Sequence, residues 1–201
     1  MTFSNLGLET IFVDAVESPI SLVRVAAHFH EVEHSGPIIK LLKKKGYIVG
    51  YNLMQAGGKP DEVIAKKARI AKEWGNLDCL YFADSLGNMD SEEVARIVKA
   101  IKTVWQGEIG IHTHNNMGKA LDNTLTAQSL GVNWLDVTVT GMGRGAGNAQ
   151  TESLLAVIDK VSDKYLPSVS LKESPTPLSY KGTEYLELLV SQTTHKLYDH
   201  P

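Results

Sequence analysis

Two histidines one residue apart, His112 and His114, stand in the stretch Gly110-Ile111-His112-Thr113-His114-Asn115-Asn116. Glu108-Ile109 opens this stretch as a short strand, and alternate side chains of a strand share a face. Both imidazoles therefore point one way. Ile109, Ile111 and Thr113 point the other way, and Gly110 leaves space on the histidine side. Two imidazoles at a strand end can grip one divalent metal ion; the plainer reading is a pair of hydrogen-bonded polar residues.

Other reactive groups fall at the ends of other expected strands: Glu17, then His28, His30 and Glu31, then Gln55, then Asp84 and Ser85. In parallel α/β folds ligands bind beyond the carboxyl ends of the strands, and this distribution favours a functional role for the histidine pair. Asp84 reads as a ligand, a base or a partner for Ser85. His28 and His30 share a strand face, while His30 and His34 read best as pocket lining or surface polarity. After the last strand comes the loop Gly141-Met142-Gly143-Arg144-Gly145-Ala146-Gly147-Asn148. Its G-x-G-x-x-A spacing fits a dinucleotide fingerprint, but no later strand offers the acid that such a site needs about 20 residues on. Its glycines can instead let backbone approach a substrate or metal, with Asn148 offering its side-chain oxygen.

These groups need elements to position them. Strands are expected over 10–16, 22–28, 47–54, 77–83, from 108, and over 134–139. From the second onwards they start about 25–31 residues apart, with helical patterns between them, as βα units with a parallel sheet require. Helices are expected over 31–45, from Pro60 to Trp74, from Asp90 to Trp105, from Lys119 to Leu130, and from Thr151. Asp90 and Glu93 resemble a capping box. Val94, Ile97, Val98, Ile101, Val104 and Trp105 form the clearest helical stripe. The strands read as apolar on both faces. Six strands suit an open doubly wound sheet or part of a (β/α)8 barrel, which usually has eight strands and about 250 residues. Residues 1–164 read as the α/β domain. Residues 165–201, broken by Pro167, Pro175 and Pro177, read as an irregular extension with a short helix at 183–191.

The chain has 201 residues, 43% hydrophobic and 21% charged, with a net charge of -3, ordinary for one globular domain. The one basic run, Lys40 with Lys43, Lys44 and Lys45, precedes Gly46 and suits a helix end; a nucleic-acid surface is not expected. No apolar run approaches the about 20 residues of a membrane span, and the N-terminus has no signal-peptide pattern. The single cysteine, Cys79, sits in an apolar run as an inert buried thiol, and the composition points to the cytoplasm.

Taken together, Gly110-Ile-His-Thr-His-Asn-Asn-Met, Ala120, Asn123 and Thr124, Gly131-Val132, Asp136 and Gly141-Met-Gly-Arg-Gly-Ala-Gly-Asn-Ala resemble the metal-dependent pyruvate aldolases and lyases. That group includes 4-hydroxy-2-oxovalerate aldolase, HMG-CoA lyase and the isopropylmalate and homocitrate synthases. Val23-Arg24-Val25-Ala26-Ala27-His28 and Tyr81-Phe82-Ala83-Asp84-Ser85 look most like the hydroxy-oxovalerate aldolase branch. The resemblance implies an α/β fold of (β/α)8 TIM-barrel type, incomplete at the N-terminus, with about six of eight strands. It implies Mn2+ or Mg2+ held by His112, His114 and Asn148, with Ser85, His28 and Gly143 at the substrate. The implied reaction makes or breaks a C–C bond through a pyruvate-type enolate, with a 2-oxo acid such as pyruvate and an aldehyde as partners. The family's opening D-x-T-x-R-D-G strand, with its aspartate ligand and arginine, has no match here, so the catalytic residues stay unassigned. The aldolase branch's C-terminal helical region can supply a tyrosine, and Tyr180, Tyr185 and Tyr198 are not assigned to that role. A homo-oligomer, or a partner that supplies the missing strands, is expected; the alternative is a non-catalytic barrel fragment that self-associates or binds a partner chain.

Overall fold

The computed structural model describes residues 10–158, together with Gly7 and the pair His195–Lys196. Five strands, β1 (Leu22–His28), β2 (Ile48–Met54), β3 (Cys79–Asp84), β4 (Glu108–Thr113) and β5 (Trp134–Asp136), form a parallel sheet in sequence order. A two-residue strand, β6 (His195–Lys196), pairs antiparallel with β5. The helices are α1 (Gly36–Lys44), α2 (Asp61–Glu73), α3 (Ser91–Lys102), α4 (Ala120–Ser129) and α5 (Thr151–Val157). The strand order has no switch point, which a doubly wound sheet would show. The expected boundary at 164, the helix at 183–191 and the three late tyrosines lie outside the described residues.

Local signals set the helix ends. Asp90 caps α3 by accepting the Glu93 N–H at 2.9 Å. Acids open α2, and Lys43 and Lys44 close α1, complementing the helix dipoles. Lys43 Nζ also donates to the Asp78 carboxylate at 2.6 Å, so part of the basic run braces the fold. The stripe Val94, Ile97, Val98 and Ile101 is buried, as are Ile64, Ala68 and Ala71 of α2. In α1, Ile39 and Leu42 are buried while Ile38 and Leu41 are half-buried. Among the described residues no helix is long and apolar enough to cross a membrane.

Three expected elements differ. Residues 10–16 are not a strand: Thr10 and Ile11 are helical, and Ala15–Glu17 form a 3-10 turn. The apolar alternation there is not matched by burial, since Ile11, Val13 and Val16 are exposed. Only Phe12 and Ala15 pack on the core, Phe12 edge-on to Tyr47 at 5.9 Å. Among the described residues the sheet therefore has five parallel strands rather than six. The helix expected from residue 31 is split. Phe29–His34 form a 3-10 turn and α1 begins at Gly36, because Pro37 has no N–H to continue the preceding turn. Finally, β5 stops at Asp136, and Val139–Gly141 form another 3-10 turn around Thr140 at φ 56°.

The two faces of the sheet are unlike each other, which corrects the reading of strands apolar on both sides. Toward the helices point Val49, Tyr51, Leu53, Leu80, Phe82, Ile109, Ile111 and Leu135, which join the main core. The register places Arg24, Asn52, Tyr81, Gly110, His112, Trp134 and Asp136 on the other face. Its apolar part is small: Cys79, Tyr81 and Trp134, with Leu22 beside them. Cys79 is buried there, as expected.

That second face is strongly concave. Arg24 lies on β1 and Asp136 on β5, four strand intervals apart, roughly 19 Å across a flat sheet. The Arg24 guanidinium nevertheless donates to the Asp136 carboxylate. The sheet must therefore curl inward, and sequential parallel strands curling with helices outside are the wall of a (β/α) barrel. Tyr81 fills the hollow between, with Arg24 over its ring at 5.1 Å.

Gly110 is the seat of that tyrosine. A Cβ there would stand 2.3 Å from Tyr81 Cδ1, so the space beside the histidines belongs to Tyr81. Gly110→Ala is expected to lower unfolding stability by about 1–3 kcal/mol through overpacking, measured by urea titration. Asp90→Ala is expected to cost about 1 kcal/mol by loss of the cap; an unchanged midpoint would mean that the cap is not holding α3.

Candidate functional site

The carboxyl ends of β3, β4 and β5 and their loops converge. His112, in the last turn of β4, stands in register with Ala83 on one side and Asp136 on the other. His114 leaves the strand on the same face and bridges to Asn148 of the glycine loop. The two imidazole centroids are 5.0 Å apart with their planes at 80°. Burial presses the His112 pKa down to about 4, and Arg24 and His114 push the same way. Burial, then Arg144, also lowers His114, against an opposing pull from Asp84. Both rings are thus neutral at pH 7, the form that can donate a lone pair. His112 Nδ1 lies 3.0 Å from Asp136 Oδ2.

Asn148 supplies a third donor. Its Nδ2 donates to the Met142 carbonyl at 3.2 Å, while Oδ1 is buried and, among the described residues, accepts no hydrogen bond. A buried amide oxygen without a partner is costly and suits a cation nearby. Two neutral imidazoles and one free amide oxygen fit a divalent ion as three neutral ligands. Among the described residues no cluster of three His, Cys, Asp or Glu side chains adds an anionic ligand. The Asp84 carboxylate accepts the backbone N–H groups of Asn88 at 3.0 Å and Met89 at 3.2 Å, folding the turn after β3. Burial raises its pKa, and those N–H groups offset part of the rise.

The other expected site residues fall differently. Ser85 Oγ accepts the Gln55 N–H at 2.9 Å and so pins Gln55 at its φ of 59°. Its carbonyl accepts from Arg144 at 3.0 Å, strapping the glycine loop to the β3 end. Gly143 lies against the Asn148 carboxamide, where a Cβ would stand 2.6 Å from Nδ2; it makes room for Asn148. His28 is exposed at the end of β1 and stacks on His30 at 5.8 Å. His30 belongs to the 3-10 turn rather than to the strand. The structure thus gathers His112, His114 and Asn148, links Ser85 to them through Arg144, and leaves His28 in a separate pair.

Sequence reasoning gave no role to Arg24 or Asp136. Their signal was a charge of each sign inside strands that must be buried, which calls for partners. Asn115 was also missed as a structural residue: its Oδ1 accepts the Ala120 N–H at 3.0 Å, and its own N–H bonds the Gly147 carbonyl at 2.8 Å. Two open surface depressions, of about 500 and 590 Å³, lie at the amino ends of the strands around Trp105 and Trp74, away from these histidines.

The 4-hydroxy-2-oxovalerate aldolase of Thermus thermophilus is 39% identical over 158 residues, covering 78% of this chain and 45% of the relative. The enzyme of that name from Roseiflexus sp. is 38% identical over 148 residues, 73% of this chain and 43% of the relative. The chain thus spans less than half the length of these curated relatives. The crystal structure of Bacillus subtilis HMG-CoA lyase superposes with a TM-score of 0.64 at 21% identity, over 76% of this chain and 58% of the lyase, and shares its fold. The HMGL-like family model matches residues 19–173, and the chain belongs to that family.

Proposed function

We propose that the chain carries the metal-binding wall of a divalent-metal-dependent aldolase or lyase, which makes or breaks a C–C bond through a pyruvate-type enolate. The observation that carries the reading is the His112, His114 and Asn148 set: two neutral imidazoles and a partnerless amide oxygen at the carboxyl ends of curled parallel strands. The names of the aldolase relatives support a 2-oxo acid such as pyruvate with an aldehyde as the substrate pair. A cytoplasmic setting accords with the single buried thiol.

His112, His114 and Asn148 would hold the ion. Imidazole nitrogens favour Mn2+ over Mg2+, a harder ion that prefers oxygen ligands. When bound, the ion supplies Lewis acidity to a substrate carbonyl oxygen that gains negative charge. Arg144, on the strap from the glycine loop to Ser85, sets a positive charge at the rim, suited to a substrate carboxylate. The acid and base of the reaction are not assigned to residues of this chain.

One observation favours a second reading, a non-catalytic module that self-associates. Ile11, Val13, Val16 and Ile20 are each exposed in the segment before β1, and among the described residues β1 pairs on one side only. Such an apolar edge invites another strand or copy. Sedimentation at micromolar concentration tests it: a dimer weakened by Val16→Glu supports it, and a clean monomer counts against it.

The enzyme reading predicts Mn2+-dependent exchange of the pyruvate methyl protons, followed by NMR in D2O and abolished by His112→Ala. By calorimetry, His112→Ala is expected to weaken Mn2+ binding at least about 100-fold. Absence of both binding and exchange in the wild-type chain would sink the proposal. Because His112 stays neutral far below the ordinary histidine value of about 6.5, proton competition at this ligand should begin only below about pH 5. In the His114→Ala variant, a steep loss of the remaining Mn2+ affinity already at pH 6.5 would argue that His112 is not a ligand.

A further inference from the structure

We propose that Asp136, clamped by Arg24, is a positioning residue that fixes the proton of His112 on Nδ1 and turns its Nε2 lone pair toward the proposed cation site. The cation part of this statement rests on the preceding functional reading; the part concerning the proton does not.

The argument begins with donors and acceptors. Arg24 has five N–H groups and no acceptor, and its Nη1 donates to Asp136 Oδ2. The same oxygen lies 3.0 Å from His112 Nδ1. An oxygen that accepts from a guanidinium is an acceptor for its other neighbour as well, so the Nδ1 position carries the hydrogen. In a neutral imidazole the other nitrogen, Nε2, is then bare. A metal-binding histidine is commonly oriented in this way by a carboxylate on its far nitrogen.

Packing denies the network another arrangement. Asp136 is only 3% exposed. Arg24 is held over the Tyr81 ring at 5.1 Å, and Tyr81 in turn fills the space above Gly110. Trp134 closes the far side of Tyr81, edge-on at 6.4 Å. The three polar residues come from β1, β4 and β5, so their meeting depends on the curl of the sheet and not on sequence proximity. Among the described residues Asp136 Oδ1 is buried without a partner, so the contacts of Oδ2 orient the carboxylate. A purely structural ion pair would need Arg24 and Asp136 only; the placement of His112 Nδ1 on the shared oxygen is what points to a role at the histidine.

The tautomer is read directly from long-range 1H–15N correlation spectra of the full, metal-free chain at neutral pH, with His112→Gln to assign the signal. The wild type is expected to show a protonated Nδ1 and a bare Nε2 at His112. Arg24→Met/Asp136→Leu replaces the buried pair by apolar residues of similar size, a change that folds often tolerate. It should abolish the Nδ1–H preference and weaken Mn2+ binding about 10- to 100-fold. Arg24→Lys, which keeps a cation on the carboxylate, should retain the wild-type tautomer.

An Nε2-protonated His112 in the wild type overturns the inference, and so does a double variant that folds and keeps the Nδ1–H form. If the double variant does not fold, the wild-type and Arg24→Lys spectra decide alone. Equal Mn2+ affinity in the folded double variant overturns the link to the cation. If the wild type binds no Mn2+, the functional reading fails, and the tautomer still decides the role of Asp136.

Discussion

A buried carboxylate that must be paired governs this structure. Asp136 sits in a strand with almost no access to water, and an unpaired charge there would cost several kcal/mol. Its partner comes from the opposite margin of the parallel sheet. Bringing Arg24 to it requires β1 and β5 to approach across the concave face, so one ion pair and the curvature of five strands are the same constraint. The pair itself need not add net stability, since desolvating both ions offsets much of their attraction. Its contribution is specificity: a flat sheet or a slipped register would strand both charges.

Cohesion comes from elsewhere. The helix-facing side of the sheet and the stripes of α1 to α4 form one continuous apolar core, which supplies the hydrophobic driving force. The concave side has only the small Cys79, Tyr81 and Trp134 cluster. On this face, among the described residues, the side-chain oxygens of Asn52, Tyr81 and Asp136 include buried atoms with no hydrogen-bond partner. A face built for stability alone would not collect them, since each costs free energy when buried. The apolar core thus lies on the outer side and the buried polar groups gather on the inner one.

The outer side was legible in the sequence because periodicity reports burial. Val94, Ile97, Val98 and Ile101 repeat at helical spacing, and Asp90 three residues before Glu93 marks the start, so α3 could be drawn before any coordinates. Residues 10–16 misled for the same reason. Ile11, Val13 and Val16 alternate as a strand would, yet alternation cannot say whether a neighbouring strand exists to pair with. The histidine pair was legible as local spacing, and Asn148 through a resemblance. Arg24 and Asp136 were not, because their relation spans 112 positions and is created only when the sheet curls.

The most recognisable stretches, from Gly110 to Met117 and from Gly141 to Ala149, are therefore mainly architectural. Gly110 seats Tyr81. Asn115 ties the start of α4 to the glycine loop, and the Asn116 backbone packs so closely on Gly87 that a Cβ there would meet its nitrogen at 2.7 Å. Gly147, at φ 86°, lets the loop close: a Cβ there would stand 2.1 Å from the Gly141 carbonyl oxygen. Gly143 leaves room for the Asn148 carboxamide, and Arg144 straps the loop to Ser85. Against this bracing, the Asn148 side-chain oxygen and the second ring nitrogen of His112 are among the polar atoms that the described contacts leave over. A specific motif need not be a list of reacting groups. Here most of its residues hold two loops at one distance, and that fixed distance brings the histidine pair at the end of β4 beside Asn148 of the glycine loop.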